Sequence, residues 1–364
     1  RGLLMNHVYA VIMAGGRGER FLPLSTSRKP KQLHDLIGDK TLIAQAVDRL
    51  EGLIPIEQVL VITHADIVEA TLRAAPQLKP ENVIGEPFGR DTAAAVACAA
   101  ALVKSRDEKG VFAILTADQV MGDIERFQAT LRSGLQLAAE NDILVTIGIQ
   151  PTFPATGFGY IESGDIYAEK EAVVFRIAKK FVEKPDVERA AAYLETGQFF
   201  WNAGMFIWSV ASLEKAFKKH ASATYDLMAA LTKYANQNEI HAGMDLLYPD
   251  VEKISIDYAL MEKADNIVMA CGSFAWDDVG TWTALESHFK PDESGNTIIG
   301  DVTVLNSKSN IIYSKDHLTA LIGVQDVIVV QADGVTLVCA KEAAQQIKSV
   351  VQELSKQDPH SPLI

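Results

Sequence analysis

The chain has 364 residues, 48% of them hydrophobic, enough to bury a sizeable core and to build about two domains on the usual length prior. Its 34 basic and 47 acidic residues give a formal net charge of −13, which argues against nucleic-acid binding, whose footprint is a broad basic face. No stretch reaches the ~18 consecutive apolar residues of a membrane span. The three cysteines, Cys98, Cys271 and Cys339, are far apart in apolar contexts without a CxxC pair, so buried free thiols in a soluble cytoplasmic protein are expected.

Taken in order, Arg1 to Leu4 precede Met5 and are read as either an expression remnant or a start-site artefact. Val8 to Met13 is a short apolar run with β-branched residues and predicts a buried strand. It runs into Gly15, Gly16 and Gly18, where backbone N–H groups unshielded by Cβ atoms can approach a phosphate closely. Arg17, Arg20, Arg28, Lys29 and Lys31 add positive charge around that loop. The string is neither a P-loop nor a dinucleotide fingerprint, and an isolated Gly-Gly-x-Gly more often marks a plain strand-to-helix turn. Here it is followed by Pro23-Leu24 and Lys29-Pro30-Lys31-Gln32, which together favour a polyphosphate cradle.

Helical spacing covers Thr41 to Leu50, Ala65 to Ala74 and the alanine-rich Ala93 to Lys104, while Gln58 to Thr63, Glu81 to Gly85 and Val111 to Thr116 read as strands. Alternation of this kind predicts a parallel α/β sheet whose ligands sit at the C-terminal strand ends, where Glu86 to Thr92 and Ala117 to Gln119 fall. Asp142 to Ile149 continues the sheet. Pro154 to Ile161 is a glycine-bearing loop returning to a strand, followed by Phe181 to Pro185, a helix over Val187 to Glu195 and the segment Phe200 to Trp208. Leu213 to Gln237 is expected as a helix, Ser255 as the N-cap of another, and Ala275 to Trp282 as the close of the main domain.

From about Lys290 the texture changes to closely spaced strands at Thr297 to Leu305, Asn310 to Tyr313, Leu318 to Ile322, Val327 to Gln331 and Val335 to Cys339. A final amphipathic helix, Lys341 to Ser355, aligns Ala344, Ile347, Val351 and Leu354 and is expected to pack on its own domain. The expected division is therefore 5–289 for a catalytic domain and 290–364 for a small β-rich one.

Asp118 follows a strand and Asp277-Asp278 lies in a Trp-rich turn. Each alone reads as an ordinary turn or cap residue; converging at one sheet end, Asp118 and Asp278 could hold Mg²⁺ through oxygen. Glu183-Lys184 alone reads as a surface ion pair, and the tryptophans as packing.

Seven ordered blocks now stand together: Ala14 to Ser25, Pro30 to Gln32, Glu86 to Ala93, Thr156 to Ile161, Phe181 to Pro185, Trp201 to Phe206 and Trp276 to Trp282. Over nearly its full length the chain resembles the mannose-1-phosphate guanylyltransferases, or GDP-mannose pyrophosphorylases, of the sugar nucleotidyltransferase family. The resemblance implies a Rossmann-like nucleotidyltransferase domain with a mostly parallel mixed sheet, plus a short left-handed β-helix-like C-terminal domain. It implies transfer of GMP from GTP to mannose 1-phosphate, giving GDP-mannose and pyrophosphate with Mg²⁺, in a homodimer, with no isomerase domain appended. By position it implies Arg17 and Lys31 as catalytic residues, and Ala14, Gly15, Gly16, Gly18, Glu86, Arg90, Asp91 and Thr92 at the nucleotide. Gly159, Glu183, Lys184 and Asn202 fall to the sugar phosphate, and Asp118 and Asp278 to the metal. Two departures stand out: Gln119 where histidine is common, and Asp91 where asparagine is common. Transfer to another sugar phosphate such as a heptose 1-phosphate, use of another nucleotide, and a catalytically silent sensor are the competing readings.

Overall fold

The computed structural model describes residues 7–358, so the reading of Arg1 to Leu4 lies outside the described residues. Strands run β1 (Val8–Met13), β2 (Val59–His64), β3 (Val83–Glu86), β4 (Val111–Thr116), β5 (Val120–Met121), β6 (Leu144–Ile149), β7 (Tyr160–Lys170) and β8 (Val173–Val182). They continue as β9 (Phe199–Ser209), β10 (Ile267–Gly272), β11 (Trp276–Asp277), β12 (Thr297–Leu305), β13 (Ile311–Ile322), β14 (Val327–Ala332) and β15 (Val335–Ala340). The α-helices are α1 (Leu42–Asp48), α2 (Val68–Ala74), α3 (Asp91–Arg106), α4 (Ile124–Glu140), α5 (Val187–Thr196), α6 (Val210–His220), α7 (Ser222–Asn236), α8 (Ile240–Leu247) and α9 (Ile347–Gln357). None of the described helices is long and apolar enough to cross a membrane.

Two compact units emerge. The first comprises residues up to Gly15, Ala46–Ala117 and Met121–Trp276; the second comprises Gly16–Gln45, Asp118–Val120 and everything from Asp277 on.

The first unit is built on a nine-stranded sheet of order β3-β2-β1-β4-β9-β6-β10-β8-β7. Its pairings make seven strands run one way, with β9 and β8 opposed, so the sheet is mixed as the sequence predicts, parallel from β3 to β4 and between β6 and β10 and antiparallel wherever β8 or β9 pairs. Strands such as VYAVIM and VFAILT are apolar along nearly their whole length because the sheet is covered on both faces. Helix α3 is buried along its alanine run, Ala93 to Ala101. A helix without bulky side chains can approach both the sheet and α7 closely, and apolarity all round marks such a buried helix.

Several elements depart from the sequence expectations. The helix expected over Leu213 to Gln237 is two helices, α6 and α7, separated by a non-helical Ala221 with φ −146° and ψ 62°. The helix after Ser255 is a π-helix, Asp257–Met261, although Ser255 Oγ does accept the Tyr258 N–H at 3.3 Å. Of the three cysteines, which form no disulfide, only Cys98 is fully buried; Cys271 and Cys339 are half-buried.

The second unit carries a four-stranded sheet, β12-β13-β14-β15, with the first two pairings parallel and the last antiparallel. The two strands expected over 310–322 are one, β13, whose register against β12 shifts between Gly300 and Val302. The unit's core joins Phe21, Leu22, Leu24, Leu36 and Leu42 to Trp282, Ile311, Tyr313, Ile328, Ile347 and Val351. The terminal helix thus packs on its own unit, with Ile347 and Val351 buried and Leu354 against them. The stretch around Phe21 is held by its own hydrophobic residues: the Phe21 and Trp282 rings lie 5.1 Å apart, and Trp282 Nε1 donates to the Leu22 carbonyl at 3.2 Å.

Candidate active site

In the second unit, the segment after the glycine loop brings three of the expected residues together. Lys31 opens a single 3-10 turn, Lys31–Leu33, and is buried, an arrangement a lysine adopts only when its ammonium is partnered. Its Nζ donates to an Asp118 carboxylate oxygen at 3.1 Å and to the Asp278 main-chain carbonyl at 2.7 Å, and lies 5.6 Å from the centre of the Phe21 ring. Gly18 makes this possible. Its φ is +66°, and a Cβ there would sit 2.5 Å from the Lys31 Cβ. Arg17 is exposed.

Asp278 is a half-buried carboxyl whose pKa is raised to about 6, chiefly by desolvation, with Lys31 pulling it down and Asp277 and Asp118 pushing it up. Its neighbour Asp277 is held as a carboxylate by His288 Nε2 at 2.7 Å and by the Val279 N–H at 2.7 Å. Val279 itself has φ +47°, a strained conformation for a β-branched residue, beside the carboxyl in question. Among the described residues no group of three or more His, Cys, Asp or Glu side chains is arranged to hold a metal. Two carboxylates of hard oxygen donors still fit Mg²⁺, which keeps several waters and substrate oxygens in its shell rather than needing an all-protein cage.

In the first unit, the Ala14 N–H is spent on the Ile62 carbonyl at 2.8 Å, so this amide serves the fold rather than a phosphate. The Gly15 carbonyl lies 3.0 Å from His64 Nε2. Glu86, the last residue of β3, is buried, accepts the Tyr248 hydroxyl at 2.7 Å, and has its pKa raised to about 7 by desolvation, which outweighs that hydrogen bond. Arg90 donates from Nε to the Tyr248 carbonyl at 2.8 Å and from Nη2 to that of Pro249 at 2.7 Å, so much of its donor set is structural. Asp91 has φ +65°, a conformation asparagine and aspartate both tolerate, which explains how either can stand there. Thr92 Oγ1 accepts the Ile256 N–H at 2.8 Å.

A second cluster of this unit gathers Gly159, Glu183 and Asn202. The Gly159 carbonyl accepts the Asn202 N–H at 2.8 Å, and Asn202 Nδ2 donates to Asp257 at 2.9 Å. Glu183 and Lys184 form an ion pair at 3.1 Å with side chains 39% and 59% exposed, worth under ~1 kcal/mol, so it does not hold the lysine in place. Lys184 sits at φ +39°.

Sequence reasoning did not single out His64, Tyr248 or Asp257. His64 ends a strand, Asp257 follows the Ser255 cap and Tyr248 carries no sequence signal, and their partners lie 49, 55 and 162 residues away.

Residues 9–295 match the family described as nucleotidyl transferase, and residues 300–354 match the MannoseP isomerase/GMP-like beta-helix domain. The mannose-1-phosphate guanylyltransferase of Sinorhizobium fredii (strain NBRC 101917 / NGR234) is 36% identical over 359 residues, covering 97% of this chain and 69% of that protein. That of Escherichia coli (strain K12) is 35% identical over 368 residues, covering 98% and 76%. A crystal structure described as mannose-1-phosphate geranyltransferase from Thermus thermophilus superposes with a TM-score of 0.83 at 33% identity, over 96% of this chain and 99% of that one. With the nine-stranded mixed sheet, the β-helix-like C-terminal part and these matches in hand, the chain belongs to the nucleotidyl transferase family.

Proposed function

We propose that this enzyme transfers GMP from GTP to α-D-mannose 1-phosphate, forming GDP-mannose and releasing pyrophosphate. The observation that carries the chemistry is the buried ammonium of Lys31 set against Asp118 and Asp278, and the likeness to named mannose-1-phosphate guanylyltransferases supports the substrates. A phosphate oxygen of the sugar phosphate forms a bond to the α-phosphorus while the bond from that phosphorus to the bridging oxygen of the departing pyrophosphate breaks. The sugar phosphate is largely dianionic at neutral pH, its second pKa being ~6, so no general base is required. Protein contributes alignment and charge stabilisation.

In this reading Gly15, Gly16 and Gly18 let the loop backbone approach the triphosphate, and Arg17 stabilises charge on the transferring group. Lys31 steadies phosphate oxygens, with its ammonium prepositioned by Asp118. Asp118 and Asp278 would hold Mg²⁺, which when bound neutralises phosphate charge. Glu86, with Arg90, Asp91 and Thr92 around it, lies at the guanine, where a carboxylate can accept from N1–H and the exocyclic amine. Gly159, Glu183 and Asn202 take the sugar hydroxyls and Lys184 its phosphate. A domain boundary near residue 290, a homodimer and a cytoplasmic location belong to the same proposal.

The test is pyrophosphate release with Mg²⁺ across four nucleoside triphosphates and several sugar 1-phosphates. Preference for GTP with mannose 1-phosphate is expected; preference for another pair would keep the mechanism and change the substrates, and silence from folded protein that still binds GDP-mannose would mark a sensor.

A further inference from the structure

Both ends of the Asn202 side-chain amide are committed. Oδ1 accepts the Gly204 N–H at 3.0 Å and Nδ2 donates to Asp257 Oδ1 at 2.9 Å. A donor on one side and a carboxyl on the other allow a single amide orientation, and they leave one N–H of Nδ2 for another acceptor. Asp257 opens the π-helix Asp257–Met261, a rare turn that recurs at functional sites. The residues just before it are pinned in turn, because the Ile256 N–H donates to Thr92 Oγ1 at 2.8 Å and the Ala93 N–H donates to the Ile254 carbonyl at 3.2 Å. One short segment, 254–257, therefore braces both the head of α3 and Asn202. Burial, reinforced by Glu183, raises the Asp257 pKa, so the carboxyl costs stability here. Its contact with Asn202 is what the position gains.

We propose that Asp257 is a positioning residue for the sugar phosphate: it fixes the Asn202 amide so that the remaining Nδ2 N–H is offered to a sugar hydroxyl. The inference rests on Asn202 belonging to the sugar-phosphate subsite.

Steady-state kinetics of Asp257→Ala, Asp257→Asn, Asn202→Ala and the Asn202→Ala/Asp257→Ala double variant test it, on proteins whose thermal melts show them folded. Asp257→Ala is expected to raise the KM for mannose 1-phosphate by on the order of tenfold, with the KM for GTP within about twofold. Asp257→Asn, which keeps an acceptor for Nδ2, restores most of the loss. In the double variant, removing Asp257 adds almost nothing to the effect of Asn202→Ala. Equal increases in both KM values, no rescue by asparagine, or effects that simply multiply would each overturn the positioning role. An unchanged sugar-phosphate KM in Asn202→Ala would overturn the subsite assignment beneath it instead. Should Asp257→Ala fail to fold, Asp257→Ser, whose hydroxyl is too short to reach Nδ2, is expected to show the same selective increase, and a normal KM there overturns the proposal.

Discussion

A buried carboxyl reports its environment through pH. Glu86 has its pKa raised from 4.5 to about 7, so between those values the folded state keeps a proton that the unfolded state has lost, and stability falls as pH rises through that window. Above pH 7 the cost is complete, on the order of 3 kcal/mol. Glu86→Gln retains an acceptor for the Tyr248 hydroxyl and removes this cost. Its melting temperature should match that of the parent near pH 4.5 and exceed it at pH 8; equal melting temperatures at both would mean that Glu86 is not desolvated. Two further residues test the chemistry. Arg17→Ala should lower kcat by ~10²–10³-fold with modest loss of GTP binding, and near-normal turnover would remove Arg17 from the mechanism. Asp278→Asn should shift the Mg²⁺ titration of activity to higher concentration, and an unchanged titration would remove it from the metal site. At this scale the sequence is partly legible. Gly18 and Lys31 stand out by residue type and spacing, Asp118 and Asp278 through the family resemblance that pairs them, and the structure brings all four close. Ala14 and Arg90 look equally promising in sequence, yet the Ala14 N–H is spent on the Ile62 carbonyl and two of the Arg90 donors on those of Tyr248 and Pro249, pairings visible only after folding.

Among the elements, Trp282 shows how packing fixes a functional turn. Its Nε1 is bonded to the Leu22 carbonyl, and its ring contacts Phe21 and Tyr313, the latter at 5.3 Å. Trp282→Phe keeps most of the packing but leaves that buried carbonyl without its donor, at an expected cost of about 1–3 kcal/mol. Denaturant unfolding measures it, and a loss below ~0.5 kcal/mol would mean that the bond is redundant. The strands are easy to read because a doubly covered sheet writes near-continuous apolar runs. Helix α4 is not, although Phe127, Leu131, Leu135 and Ala138 mark its buried face. Its pattern is broken by Ser133-Gly134, where a Cβ would press on the Cδ1 end of the Ile207 side chain. The break between α6 and α7 has no glycine or proline to announce it. The same holds for the π-helix, whose extra residue per turn is a tertiary outcome.

Across the whole molecule, a net charge of −13 means that like charges repel in the compact state. Raising ionic strength from ~20 to ~300 mM should therefore raise the melting temperature, because the Debye length falls well below the spacing of most surface charges. A melting temperature that falls with added sodium chloride would show that attractive pairs dominate instead. Fold class could be read from the alternation of strands and helices and the change of texture near Lys290, but not that residues 16–45 share a hydrophobic core with the C-terminal strands and α9. Lys348 even reaches Glu19 at 3.5 Å. That shared core bears on how such proteins can be recombined. A graft that replaces everything after residue 290 with the equivalent from a relative would set Phe21, Leu22 and Leu36 against foreign neighbours, and so disturb the turn that presents Lys31. The two stretches are exchangeable only together, as one discontinuous cassette, and a chimera library scored for folded, active clones should show its crossovers depleted wherever they separate 16–45 from 277–358.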